Sequence, residues 1–136
     1  MNHARNSELF PVNFPLALRA EAFANGGEVA WRPKFAAIAV EWFGANGYAV
    51  LGAELWLLED GAIHSLPMGL SETIEVHGNT VDRQSKESWG EFVVRAVGET
   101  LAYLRAFSVT DVIEPGDIYF NVVWVSASDY ATLMPA

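Results

Sequence analysis

Cysteine is absent from this chain of 136 residues. Its absence excludes disulfide bonds, zinc–thiolate centres and cysteine nucleophiles, and it is compatible with a reducing compartment. Long apolar runs are also missing, since none approaches the ~20 residues that a membrane-spanning helix requires. The first residues lack the basic segment and the apolar stretch of a signal peptide. We therefore predict a cytoplasmic protein that does not bind membranes.

Positive charge is scarce as well. Lysine and arginine together number 8, against 17 aspartate and glutamate residues, which gives a formal net charge of −9. A field of this sign repels nucleic acid and anionic membranes and attracts basic partners. A plainer interpretation is that the acidity keeps a small, apolar-rich protein in solution. Both interpretations argue against a nucleic-acid-binding surface.

The sequence also lacks the motifs that usually carry chemistry. It contains no glycine-rich phosphate loop, no G-x-S-x-G elbow and no HExxH pair. His64 and His77 fall in predicted strands that are neighbours along the chain, but nothing fixes their register, and ordinary polar positions are the better interpretation. We therefore predict no catalytic residue, no metal site and no cofactor.

What the chain does contain is a well-patterned stretch over residues 33–61. Apolar residues recur there at spacings of three, four, seven and eight, which predicts an amphipathic helix on a core: Phe35, Ile38, Ala39, Trp42 and Phe43. Residues 48–58 are then apolar on nearly both faces, which predicts a central strand covered on both sides. The Asp60-Gly61 turn predicts an antiparallel return over residues 62–66.

Caps and turn residues mark the other elements. The sequence before residue 80 predicts a loose arm over residues 1–12 anchored by Leu9 and Phe10, a helix over residues 13–25 ended by Gly26-Gly27, a strand over residues 72–77 and a turn at Gly78-Asn79. The remainder predicts a helix over residues 85–107 with a capping box at Ser88 and Glu91, a strand over residues 118–125, and a short helix to residue 134 capped by Ser126.

These elements predict one domain over residues 1–136. Its class is α+β, with a mainly antiparallel sheet of about four strands packed with two long helices and shorter terminal helices. On the surface of the longest helix, the spacing predicts ion pairs between Glu91 and Arg95 and between Arg95 and Glu99.

Glu54 is the most informative single residue, because it is a carboxylate in the middle of an apolar strand. If it were buried, its pKa would rise and it would be a candidate general acid. If that face of the strand is partly open, Glu54 is solvated or paired with an arginine, and this interpretation is favoured. Small residues at Ala49, Gly52 and Ala53 suggest that a helix backbone lies close to the strand.

Acidic and aromatic residues together form a candidate binding surface for a basic partner. The candidate binding residues are Glu54, Trp56, Glu75, Asp82, Glu87 and Glu91. Trp31, which precedes a predicted helix, is a further aromatic candidate. The alternative is that these tryptophans serve the core.

Three runs of the chain carry a resemblance to a known family: AIAVEWFGANGYAVLGAELWL, SWGEFVVRAVGETLAYLR and YFNVVWVSASDYATL. Together they span about residues 33–133, and in order of elements they resemble the immunity protein 40 family of bacterial polymorphic toxin systems. The resemblance implies that the chain binds and neutralises a cognate toxin and is not an enzyme. An acidic immunity protein often covers the basic active site of a nuclease toxin, which suits the charge. Gly52, Glu54, Trp56, Trp89 and Asn121 lie within these runs.

Three functional hypotheses follow. The first is a small acidic cytoplasmic binding protein, an immunity protein that occludes a basic partner such as a nuclease-type toxin. The second is an enzyme or a small-ligand-binding protein with a pocket around Glu54 and Trp56. The third is a homo-oligomer of structural role that uses an uncovered sheet face as its interface.

Overall fold

A computed structural model of the chain describes residues 9–59, 62–64, 78–106 and 118–133. The helices are α1 (Leu16–Glu21), α2 (Pro33–Ala45), α3 (Trp89–Ala106) and α4 (Ala127–Leu133). The strands are β1 (Phe23–Asn25), β2 (Glu28–Trp31), β3 (Ala49–Glu59), β4 (Ala62–His64), β5 (Gly78–Thr80) and β6 (Ile118–Val125). The predicted α+β class and the two long helices are confirmed.

The strands form one antiparallel sheet in the order β1-β2-β6-β3-β4, with β5 also paired to β3. β3 pairs with β6 along Ala49–Leu57, and its other edge carries β5 and β4 one after the other. The prediction that β3 is central is therefore confirmed, but α2 and α3 lie on one of its faces, so the described helices do not cover it on both sides. The sheet has six strands in the described part of the chain, more than the four predicted, because β1, β2 and β5 were expected to be helix, loop and turn.

The predicted helix over residues 13–25 is wrong at its C-terminal end. α1 ends at Glu21, because Ala22 adopts an extended conformation with φ −78° and ψ 141°. β1 and β2 then form a hairpin in which Asn25 pairs with Glu28. Gly26, at φ +64°, occupies the left-handed region that a two-residue hairpin turn uses. The glycine pair therefore turns a hairpin and does not end a helix.

The predicted turn at Gly78-Asn79 is also wrong, since both residues belong to β5. Asn79 lies opposite Ala53, and its side-chain Oδ1 accepts a 2.9 Å hydrogen bond from the Ala53 amide. Its Nδ2 donates to Oγ1 of Thr100 in α3, at 3.1 Å. A Cβ atom on Gly52 would collide with the carbonyl oxygen of Asn79. The small residue at position 52 is thus required by β5 and not by a helix backbone.

α2 and α3 cover one face of the sheet and pack against each other. They approach closely at Gly44, where an added Cβ would lie 2.5 Å from Cγ2 of Val97. The core beneath them contains large, fully buried side chains from helix and sheet, among them Trp31, Phe43, Phe92, Ile118 and Phe120. Phe10 stacks on Phe14 with ring centroids 5.0 Å apart, which confirms the predicted anchor.

Both predicted helix caps are present. The Glu91 amide donates to Oγ of Ser88 at 3.1 Å, and the Ser88 amide donates to Oε1 of Glu91 at 2.8 Å, which completes the capping box of α3. Oγ of Ser126 accepts from the Asp129 amide at 3.1 Å and caps α4. The predicted strand over residues 72–77 lies outside the described residues.

Candidate functional site

The face of the sheet opposite α2 and α3 carries a polar surface. Side chains alternate along a strand, so the neighbours of core residues point to this second face. Phe120 and Val122 belong to the helix-covered core, which places Asn121 and Val123 on the second face. Glu54 lies opposite Asn121 in the β3–β6 register, so it shares that face.

A concave surface of about 460 Å³ lies on this face. We call it the acidic groove. Its lining consists of Glu28, Leu51, Gly52, Ala53, Glu54, Gly78, Asn79, Thr80, Asn121 and Val123. A smaller hollow of about 170 Å³ shares Glu28, Asn121 and Val123 with this lining. These lining residues include two carboxylates and no lysine or arginine.

Two irregularities in the sheet shape the groove. β2 pairs with β6 at two positions, Ala30 with Asn121 and Trp31 with Phe120. Beyond Ala30, the side-chain Nδ2 of Asn121 donates instead to the carbonyl of Val29, at 2.9 Å. On the other side, β3 has a register shift between Val50 and Gly52. Bulges of this kind bend a strand and redirect its side chains.

Glu54 is exposed, and its Oε1 accepts a 3.2 Å hydrogen bond from Nε1 of Trp56. The interpretation of a solvated Glu54 on an open face is therefore confirmed. The negative charge of Glu54 also affects a buried group, the phenol of Tyr103. The pKa of Tyr103 is raised to about 12, first by burial of the phenol and then by the nearby negative charge of Glu54.

The predicted binding residues fall into two separate places. Glu54 and Trp56 lie on the groove face, but Trp56 is only 6% exposed, so it supports Glu54 and offers little aromatic surface of its own. Asp82, Glu87 and Glu91 lie near the start of α3. Glu75 is outside the described residues, as is His77. Of the two histidines, His64 is placed by its backbone in β4.

At the start of α3, Arg95 organises the acidic residues. It binds Glu87 through two hydrogen bonds of 2.8 and 2.9 Å, Glu99 at 2.8 Å and the Asp82 carbonyl at 2.6 Å. The predicted Arg95–Glu99 pair is confirmed, whereas Glu91 is engaged in the helix cap. Glu87 and Glu91 thus have intramolecular roles, and their contact with a partner stays a prediction.

The Arg95 hydrogen bonds hold the pKa of Glu87 at about 2, with help from the Gln84 amide, and the same contact raises the pKa of Arg95. A carboxyl whose folded pKa lies below its unfolded value stabilises the fold above the unfolded pKa. That stabilisation is lost as pH falls from about 4.5 to about 2. We expect Glu87→Gln to be less stable than the wild type at neutral pH.

This difference should vanish near pH 2, which thermal melts of both proteins at several pH values can show. Glu41→Gln is a matched control, because Glu41 is exposed and lies 3.9 Å from Arg105. Its melting temperature should differ little from wild type at any pH. A Glu87→Gln deficit of equal size at neutral and acidic pH would contradict the prediction.

Within the described ranges, no group of three or more histidine, aspartate and glutamate residues is placed to hold a metal ion. No described helix has both the length and the apolarity for crossing a membrane. The fold and the groove define an α+β protein with an acidic surface on the face of its sheet opposite the helices. Comparisons with family models, with curated proteins and with solved structures gave no match.

Of the residues that line the groove, Glu54 alone was predicted as a site residue, and Glu28 and Asn121 are two important ones that were not. Glu28 follows a glycine pair that favoured a helix stop, and Asn121 lies within the third resembling run. A signal for Asn121 is present, because it is the only strongly polar residue of β6 (IYFNVVWV). A lone amide in an apolar strand marks a position where a buried polar group needs a partner.

Proposed function

We propose that this chain is an acidic binding protein that neutralises a basic partner by covering its active surface, as an immunity protein does. The observation that carries this proposal is the acidic groove, whose described lining has two carboxylates and no cation. Complementary charge steers association and suppresses wrong partners. A net charge of −9 extends the same preference to the whole molecule.

The resemblance to the immunity protein 40 family supports a toxin as the partner. A nuclease must hold the phosphates of its substrate with basic side chains, so an acidic protein is suited to occupying its active site. Occlusion needs shape and charge and no catalytic residue. Exposed carboxylates outside the groove, such as Asp82, would extend the contact.

A small-ligand site is the second candidate, because the groove volume lies in the range typical of ligand pockets. The residues on its rim argue against it. Glu28, Glu54, Thr80 and Val123 are all exposed, so the surface is wide and open to solvent. Ligand pockets enclose most of the ligand's surface, whereas protein partners bind open surfaces of this kind.

Co-expression with the product of the adjacent upstream gene tests the proposed function. We expect the chain to relieve toxicity and to form a complex with that product. Its affinity should fall by about tenfold or more between low and high salt, because exposed charge pairs are screened. Calorimetry on the purified proteins gives the affinities. Absence of protection, or an affinity independent of salt, would refute the proposal.

A further inference from the structure

The acidic groove presents hydrogen-bond acceptors, and among the described residues the Trp56 indole, which donates to Oε1 of Glu54, is the donor that reaches its carboxylates. We infer that it receives a single arginine side chain that projects from the basic partner, with the guanidinium between Asn121 and the carboxylates of Glu28 and Glu54. This inference rests on the proposed function and specifies where and how the partner is bound. It depends on the side chain of Asn121, on the placement of the two carboxylates and on the apolar part of the lining.

Asn121 is the buried element of the site. Its side chain is fixed, because the residue is only 2% exposed and its Nδ2 donates to the Val29 carbonyl. Its Oδ1 accepts no hydrogen bond from the described residues. Every fully buried side-chain polar atom of the described residues has a hydrogen-bond partner. The unbonded Oδ1 is therefore not fully buried, and it is accessible from the hollows that Asn121 lines. A nearly buried amide oxygen of this kind favours a ligand that donates hydrogen bonds.

The charge and the separation of the two carboxylates favour a ligand that is cationic and extended. Glu28 is on β2 and Glu54 on β3, with β6 between them. Strands are ~4.8 Å apart, so the two backbones are separated by roughly 10 Å. Among the described residues, no third carboxylate or histidine joins these two to complete a metal site, and proteins usually hold hard cations such as Ca²⁺ with several oxygen ligands. A cation with several separated donors fits this spacing better.

Arginine fits the groove better than lysine. Its planar guanidinium carries five N–H donors, so it can bind Oδ1 of Asn121 and a carboxylate at the same time. Lysine presents a compact, strongly hydrated charge. The apolar lining suits the aliphatic part of either side chain, because Val123 is 42% exposed and Leu51 is half-buried beside it.

An NMR titration of the ¹⁵N-labelled chain with N-acetyl-arginine amide tests the inference. We expect saturable shifts at the Asn121 side-chain amide and at the backbone amides of Gly52 and Val123. N-acetyl-citrulline amide, which is nearly isosteric and uncharged, should cause none, and N-acetyl-lysine amide should bind more weakly. The Glu28→Gln/Glu54→Gln double variant should weaken arginine binding by about tenfold or more.

Both substitutions are at exposed positions and should leave the fold intact, which the spectrum itself reports. Glu41→Gln, on the helical layer, also removes a negative charge and should bind the arginine probe as the wild type does. Equal binding of the citrulline probe, or unchanged arginine binding in the double variant, would overturn the inference.

The complex with the basic partner separates this inference from the proposed function. If Glu28→Lys/Glu54→Lys loses affinity for the partner by about a hundredfold or more, the groove is the docking site. If that variant binds the partner normally and the binding remains salt-sensitive, the proposed function holds and the groove inference fails. If the wild type binds no basic partner but still binds the arginine probe in the groove, the proposed function fails alone.

Discussion

Replacing Gly52 with alanine is expected to destabilise the protein by about 3 kcal/mol or more. Gly52 has φ +150°, a backbone conformation that residues with a Cβ rarely adopt. The added methyl group would also collide with the backbone carbonyl of Asn79 in β5. A backbone oxygen cannot rotate away as a side chain can, so relief requires β5 to separate from β3.

Separation of β5 would break more than one contact. The Val81 amide donates to the Leu51 carbonyl at 2.9 Å, directly beside Gly52, and Asn79 connects β3 to Thr100 of α3. Gly52 also lines the acidic groove. The alanine variant should therefore lose both global stability and the shape of the groove.

Urea denaturation followed by tryptophan fluorescence measures this effect. Gly98→Ala is the matched control, because Gly98 is in the middle of α3 and an added Cβ would meet nothing within 4 Å. That variant should be more stable than the wild type by about 0.5–1 kcal/mol, since alanine favours the helix. A Gly52→Ala variant within about 0.5 kcal/mol of wild type would contradict the close approach of β5.

The long elements of this fold could be predicted because each repeats its pattern over many residues. α2 and α3 repeat a helical spacing of apolar residues, β3 is apolar over nearly its whole length, and β6 consists mainly of residue types that favour strands. The Ser88–Glu91 capping box was predicted because it is a local interaction, although the predicted range of residues 85–107 began four residues before the start of α3 at Trp89. Local chemistry of this kind is fully contained in the sequence.

The short elements could not be predicted in the same way. β1, with three residues, and β2, with four, are too short to show a period. Gly26-Gly27 is equally typical of a helix stop and of a hairpin turn. β5 exists because it pairs with β3, and its Gly78-Asn79 sequence is otherwise typical of a turn. Tertiary pairing decided these cases.

The residues of the candidate site also differ in whether the sequence alone could identify them. Glu54 was found because a carboxylate in an apolar strand is conspicuous without any structure. Glu28 and Asn121 become its neighbours only through the order β2-β6-β3. The hydrogen bond that joins Asn121 to Val29 connects residues 92 positions apart. Arg95 shows the same limit, since Glu87 binds it from eight positions away while Glu91 is held in the cap.

Replacing Trp31 with alanine is expected to cost about 4 kcal/mol, because it removes a large buried aromatic side chain. Trp31 is fully buried, and its ring centroid lies 5.9 Å from Phe14 and 6.3 Å from Phe43. Its Nε1 donates a 2.7 Å hydrogen bond to the Leu18 carbonyl. The indole therefore joins β2 to α1 and α2 at once.

Trp31→Phe separates the two parts of this contribution. Phenylalanine keeps most of the packing but leaves the Leu18 carbonyl without its donor, which should cost about 1–3 kcal/mol. Urea denaturation of both variants gives these values. If Trp31 instead served a partner, the alanine variant would keep its stability and lose affinity. The structure predicts the reverse. The phenylalanine variant should be less stable than the wild type, but under conditions where it is folded it should bind a basic partner with unchanged affinity. The reason is that Trp31 lies on the opposite face of the sheet from the acidic groove.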